Sequence, residues 1–188
     1  MTQGVFARHF AAHQMVVRQS VVELEGASDA VASAIVAALR QGGKVLAFGN
    51  GGSATQASHL AGELIGRFAA TRRPLAAIAL VADPGSVTCI ANDFGYGMLF
   101  ERQVEGLART GDIAIGLTTS GRSENVVRGL AAARRAGAVT VALTGEAGLS
   151  GEPATHILRV PSASTAAIQE VHLMLLHTWC VSIDEAFA

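Results

Sequence analysis

The sequence carries almost no net charge. Its 14 Lys and Arg stand against 15 Asp and Glu, a formal balance of −1. That removes the basic footprint a nucleic-acid partner requires. Cysteine is scarce: Cys89 and Cys180 lie far apart and without metal-ligand spacing. A disulfide framework is not expected; two buried cytosolic thiols are. No apolar run reaches the ~20 residues that span a bilayer. The opening stretch MTQGVFARHF lacks a signal-peptide hydrophobic core. Together these absences point to a cytoplasmic protein with no membrane association. Aromatic residues are few, at 5%, whereas half the chain is hydrophobic and glycine occurs 21 times. Abundant alanine and glycine favour tight packing of helices on a sheet. A length of 188 residues suits one domain with a real core. No repeat, linker or low-complexity segment divides it, so residues 1–188 read as a single domain.

Residues 1–42 read as N-terminal helices. In VFARHFAAHQMVVRQSVVELEG, the residues Phe6, Phe10, Val17, Val21 and Leu24 fall at mostly helical spacing, and Gly26 ends the pattern. Ser28 then caps a second helix, SDAVASAIVAALRQGG, which closes on a glycine pair. Their apolar stripes need cover, which assigns this region to packing and oligomerisation. Strands and helices alternate after that. KVLAFG, AAIALV, DIAIGLT, AVTVALTG and HILRVP are short runs rich in Val, Ile, Leu and Ala. Continuous apolar strands predict a parallel sheet covered on both faces. Helical stretches are expected at about 53–66, 98–108 and 123–136, with a final helix at about 164–186.

Ligands of such sheets sit beyond the carboxyl ends of the strands. That selects four loops: GNGGS at 49–53, DPGSVTCIANDFG at 83–95, TTSGRS at 118–123 and TGEAG at 144–148. Gly49, Gly51 and Ala54 match the dinucleotide pattern GxGxxA, and Asp83 could serve as its ribose acid, but the signal is weak. No Lys follows the glycines, so a P-loop is excluded. Glycines that expose backbone N–H groups at a helix start favour an anion; the plain alternative is a tight strand-to-helix turn. TTSGRS tips the balance. Thr118, Thr119, Ser120 and Ser123 offer four hydroxyls where a helix begins, enough for one phosphate monoester. A Ser N-cap explains one hydroxyl, not four.

His59 and Glu63 are i and i+4 on the helix leaving the first loop and share a face. That spacing can hold a metal or set a carboxylate beside an imidazole; a solvated helix face is the plain alternative. His9 and His13 repeat the spacing without a phosphate loop beside them, and the plain reading stands there. The last helix is apolar apart from Gln169, Glu170, His172 and His177, and buried polar residues need partners. For His172 a hydrogen-bonded core residue is the expectation.

GNGGSATQASHLAGEL, ANDFGY, TTSGRSENV, ALTG and IQEVHLMLLH occur in this order. Together they resemble the phosphoheptose isomerases, which are sedoheptulose 7-phosphate isomerases of the sugar-isomerase (SIS) domain superfamily. The resemblance runs from the N-terminal helices to the last helix. It implies an α/β fold, a doubly wound parallel five-stranded sheet flanked by helices in a flavodoxin-like sandwich. It also implies a homotetramer with active sites at subunit interfaces and one zinc per subunit. By position, His59, Glu63, Gln169 and His177 fall on the family's zinc ligands, and Glu63 and His177 also on its acid–base pair. Asn50, Gly51, Gly52, Ser53, Glu63, Asn92, Asp93, Thr118, Thr119, Ser120, Ser123 and Gln169 fall on substrate-contacting positions. Two residues depart from the family's pattern. Thr118 replaces a usual Ser and keeps the hydroxyl; Arg122 replaces a usual Asn and adds a charge. Gln169 and His177 are eight residues apart, about 12 Å along a helix. One metal must sit between them with both side chains extended, or the ligands come from different subunits.

The implied reaction is conversion of sedoheptulose 7-phosphate to D-glycero-D-manno-heptose 7-phosphate through an enediol. The main rival is a non-catalytic SIS-domain adaptor that binds the replication initiator. Such relatives lack the acid at position 63 and the imidazole at 177, and this chain has both. A sugar-phosphate sensor would keep the cradles but need no acid–base pair.

Overall fold

The computed structural model describes residues 4–151 and 154–188. Residues 1–3 of the expected N-terminal helical region lie outside the described residues. Helix α1 spans Val5–Arg40, followed by β1 (Val45–Gly49), α2 (Gly52–Ile65), β2 (Ala77–Ala79) and α3 (Pro84–Phe94). After a 3₁₀ turn at Tyr96–Met98 come α4 (Leu99–Leu107), β3 (Ile113–Thr118), α5 (Glu124–Arg135) and β4 (Val139–Thr144). Strand β5 (His156–Arg159) and helix α6 (Thr165–Phe187) complete the order. The five strands are those expected from the five apolar runs. All pair in parallel, in the order β2-β1-β3-β4-β5. The chain therefore reverses direction between β1 and β3, and that switch point opens a crevice at their carboxyl ends.

Alternation along each strand divides the apolar interior into two cores. Val45, Ala47, Ile113, Ile115, Leu117, Val141, Leu143 and Leu158 pack with α1, α2 and α6. Leu46, Phe48, Ala114 and Ala142 point the other way, toward α3, α4 and α5. Strands β1 and β3 are buried along their whole length, as a sheet sandwiched between helical layers requires.

Two expectations need correction. The N-terminal region is one helix of 36 residues, not two. Gly26 costs a helix only about 1 kcal/mol relative to Ala, and packing on α6 outweighs that. Ser28 is no cap. It is buried in mid-helix and its Oγ accepts the indole N–H of Trp179 at 3.0 Å. The second correction concerns 83–95, expected as a loop and found as helix α3. Asp83 is its N-cap and accepts from the amides of Gly85 and Ser86 at 3.0 and 3.1 Å, with Pro84 in the first turn. The Ser86 hydroxyl, the Ser86 amide and the Gly85 amide hold the Asp83 carboxyl below its ordinary range. Its oxygens are thus committed to the helix start, which removes the acid a dinucleotide ribose would need.

Candidate active site

The glycine loop joins β1 to α2 at the switch point. Gly51 takes φ +56°, a conformation that side chains rarely adopt. Gly52 has a different reason for lacking a side chain. A Cβ there would stand 2.8 Å from Nε2 and 2.9 Å from Oε1 of Gln169. The glycine therefore lets the Gln169 amide rest on the start of α2. Gln56, one turn on, donates to the Gln169 carbonyl at 2.6 Å and fixes that part of α6. Neither the N-cap residue of α2 nor that of α5 makes a side-chain capping bond. The Ser53 and Ala54 amides of α2 turn instead to the Asn50 and Gly51 carbonyls, and the Val126 amide of α5 to Asn125 Oδ1, which leaves the first amides of α5, at Glu124 and Asn125, to face an anion.

Asn50 ties this loop to the opposite layer. Its amide donates to Asn125 Oδ1 at 2.9 Å, and its Oδ1 accepts from Asn125 Nδ2 and from the Tyr96 hydroxyl, each at 2.9 Å. Sequence reasoning missed Asn125, Tyr96 and Gln56. The nearest signal was the Asn in TTSGRSENV, directly beyond the hydroxyl cluster.

In the third loop, Thr118 is buried and its Oγ1 lies 3.0 Å from Ser123 Oγ. Ser123 occupies the N-cap position of α5, yet its hydroxyl makes no capping bond. The plain cap reading therefore fails at Ser123. The Ser120 hydroxyl accepts from the Arg122 amide at 3.3 Å. Thr119, Ser120 and Arg122 line one side of a cavity of about 200 Å³. Ser162 and Thr165 line it too, as does the acidic Glu146. Asn92 and Asp93 stand at the end of α3, where Asn92 Nδ2 donates to Asp93 Oδ1 at 2.7 Å. They bond to each other rather than to the imidazoles described next.

Helix α6 brings the remaining residues to α2. His177 Nε2 lies 2.9 Å from His59 Nε2, with the rings 5.1 Å apart and edge-on. His59 Nε2 also lies 3.4 Å from Glu63 Oε1. Phe68, in the segment after α2, packs its ring 5.4 Å from that of His177. His59, Glu63 and His177 thus come together within one chain. Gln169 meets α2 separately, at Gly52.

The ligand atoms of one tetrahedral zinc stand about 3.3 Å apart. The spacings around His59 are near that, and the imidazoles and carboxylate are suitable donors. Among the described residues no group of three or more His, Cys, Asp or Glu side chains is arranged to hold a metal ion.

Three other groups stand apart from this cluster. His172 is fully buried, with Nε2 3.2 Å from the Thr144 carbonyl oxygen. Burial pushes its pKa down to about 4, against a smaller opposing effect of that hydrogen bond. It is the core histidine the sequence suggested. Burial, reinforced by the charges of Glu63 and Asp184, pushes the Cys180 thiol up to about 12, so it is inert as a nucleophile. His9 and His13 are not merely solvated. They flank Glu170, with nitrogen-to-oxygen distances of 3.1 and 2.8 Å, and tie the start of α1 to α6.

With this geometry in view, comparison with known proteins decides the family. The SIS-domain family model matches residues 8–145. The phosphoheptose isomerase of Aquifex aeolicus is 52% identical over 156 residues, covering 82% of each chain. The chain belongs to the phosphoheptose isomerases. The family member from a Bradyrhizobium strain is 40% identical over 186 residues, covering 97% of this chain and 94% of its own. The solved phosphoheptose isomerase structure from Neisseria gonorrhoeae superposes with a TM-score of 0.88 at 37% identity. That match covers 96% of this chain and 97% of the other. The doubly wound five-stranded sheet is therefore the fold of this family. No described helix is long and apolar enough to cross a membrane.

Proposed function

We propose that this chain isomerises sedoheptulose 7-phosphate to D-glycero-D-manno-heptose 7-phosphate through an enediol. The observation that carries this reading is the meeting of His177 with His59, one turn from Glu63, beside the glycine loop. An aldose–ketose exchange needs a base near C1 and C2 and a second group to serve the oxygens. Glu63 takes the proton from C1 of the ketose and returns it to C2. His177 moves the hydroxyl proton between O2 and O1. Thr118, Thr119, Ser120 and Ser123, with the open start of α5, hold the phosphate at the far end. Asn50, Gly51, Gly52, Ser53, Asn92, Asp93 and Gln169 contact the sugar between. Fixing the phosphate turns binding energy into orientation at C1 and C2.

To hold one zinc per subunit, His59, Glu63, Gln169 and His177 would have to close around the ion from the positions they hold here. When bound, zinc would polarise the substrate carbonyl or fix the orientation of its ligands.

A homotetramer is the proposed assembly. Phe6, Phe10 and Val21 expose apolar side chains along one face of α1, and Phe6 stacks on Phe10 at 4.2 Å. Such a stripe favours cover by neighbouring chains. Light scattering of the purified protein tests the assembly. Because Glu63 and His177 of one chain stand at the same site, mixed Glu63→Gln and His177→Ala proteins should recover no activity, and recovery would mean that the working pair is drawn from two chains.

The adaptor reading has no observation in its favour. The deciding experiment is an assay of the purified protein with sedoheptulose 7-phosphate. Appearance of the aldose supports the proposal, and binding of the sugar phosphate without turnover would favour the sensor.

A further inference from the structure

Arg72 lies in the irregular segment between α2 and β2, yet its side chain is fully buried. A buried guanidinium must be paired, and this one is bonded on every side. Its Nε donates to Asp184 Oδ1 at 2.8 Å. Its Nη1 donates to the carbonyls of Leu64 and Arg73, at 2.9 and 3.2 Å, and its Nη2 to the carbonyl of Glu63 at 2.8 Å. The last carbonyls of a helix lack partners within it. Arg72 supplies two of those partners at the end of α2, one of them on Glu63 itself.

The other half of the pair is on α6. Asp184 is buried two helical turns beyond His177, so the two side chains share a face. Its Oδ2 accepts from the amides of Ala69 and Ala70, at 2.8 and 2.7 Å. Those amides immediately follow Phe68, whose ring packs against His177. Desolvation raises the Asp184 pKa, but the Ala70 and Ala69 amides and Arg72 outweigh it and keep the carboxyl below its ordinary range. A closed circuit results. It runs from the Glu63 backbone through Arg72 and Asp184 to α6, along α6 to His177, and back to α2 through His59.

We propose that Arg72 and Asp184 are positioning residues, a latch that sets how His177 approaches His59 and Glu63. The proposal rests on the isomerase reading, but two of its readouts do not depend on the substrate. A buried ion pair is a weak source of net stability and fixes geometry better than it adds free energy. Here the geometry it fixes is that of the proposed acid–base pair. The phosphate cradle lies on other elements and should not feel the latch.

The test is Asp184→Asn, which keeps an acceptor for Arg72 but loses the charge and the second carboxylate oxygen. Wild-type turnover in the same assay tests the isomerase reading by itself. In the folded variant, kcat should fall about 10–100-fold while KM stays within about 3-fold, the signature of lost orientation. Amide exchange at Ala69 and Ala70 should quicken. The His177 ring resonances should shift, with buried His172 unmoved as the internal reference. Arg72→Lys keeps the charge without the fork, so it should fall between wild type and Arg72→Met. Wild-type kcat with unmoved His177 resonances would overturn the latch, as would an activity loss that tracks only the unfolded fraction. If Asp184→Asn does not fold, Arg72→Lys, which keeps the charge but loses the fork, carries the test. A kcat reduced about 5-fold or more at constant KM then supports the latch, and an unchanged kcat overturns it.

Discussion

His59 and His177 face each other Nε2 to Nε2 at 2.9 Å, although 118 residues separate them in the chain. At that distance one ring nitrogen can donate to the other, with the tautomers deciding which. Glu63 lies against the same nitrogen of His59. His59 thus touches both members of the proposed acid–base pair.

Glu63→Gln should abolish isomerisation while leaving sugar-phosphate binding in place. Loss of a general base typically costs about 10²–10⁴-fold. Steady-state kinetics and calorimetric titration of the variant check both halves. Near-normal turnover would remove Glu63 from the mechanism.

Ser120→Ala and Ser123→Ala should each raise KM, with kcat less affected. Each deletes a hydrogen bond to a charged group worth about 1.5–3 kcal/mol. Ser123→Ala should be the more damaging, because it also strands the buried Thr118 hydroxyl. Unchanged affinity in both would reduce TTSGRS to a turn.

Zinc is tested by stoichiometry. Protein purified with zinc and freed of excess should hold about one ion per subunit by elemental analysis, since His, Glu and Gln together make a four-ligand set. His59→Ala and His177→Ala should each lose most of it. Retention of the full complement by either variant would place the metal elsewhere.

His172 gives a pH dependence of known sign. Its folded pKa, about 4, lies below the ordinary 6.5, so the unfolded chain binds the proton more readily. Stability is unaffected above pH 6.5 and is lost as pH falls from there toward 4, by up to about 3 kcal/mol. His172→Gln can still donate to the Thr144 carbonyl but cannot titrate. Its urea midpoint should fall less between pH 7 and 4.5 than that of the wild type. Parallel falls would mean that His172 is not responsible.

Much of the fold was legible because strands buried on both faces announce themselves as unbroken apolar runs. The errors came where a local signal competes with context. Gly26 reads as a stop, but tertiary packing carries α1 through it. Asp83 and Pro84 are a helix start that the surrounding glycine and serine disguise as a loop. At the site, His59 and Glu63 are readable as neighbours on one helix. Their approach to His177 has no local signature and came from family resemblance. Asn125, Gln56, Arg72 and Asp184 were invisible for a related reason. Their partners are backbone atoms or residues remote in sequence, which leave no periodic pattern.

The packing of α6 against α2 has a consequence for how the protein comes of age. Contacts of long sequence separation form late, because loop closure must be completed before they are rewarded. Every feature that joins Glu63 to His177 depends on α6 docking: the His59 contact, the Gln169 rest on Gly52 and the Asp184 bonds to the segment after α2. A refolding chain that has assembled only its sheet would hold the phosphate loops without a working acid–base pair. Such an intermediate would be a sugar-phosphate binder before it is an enzyme.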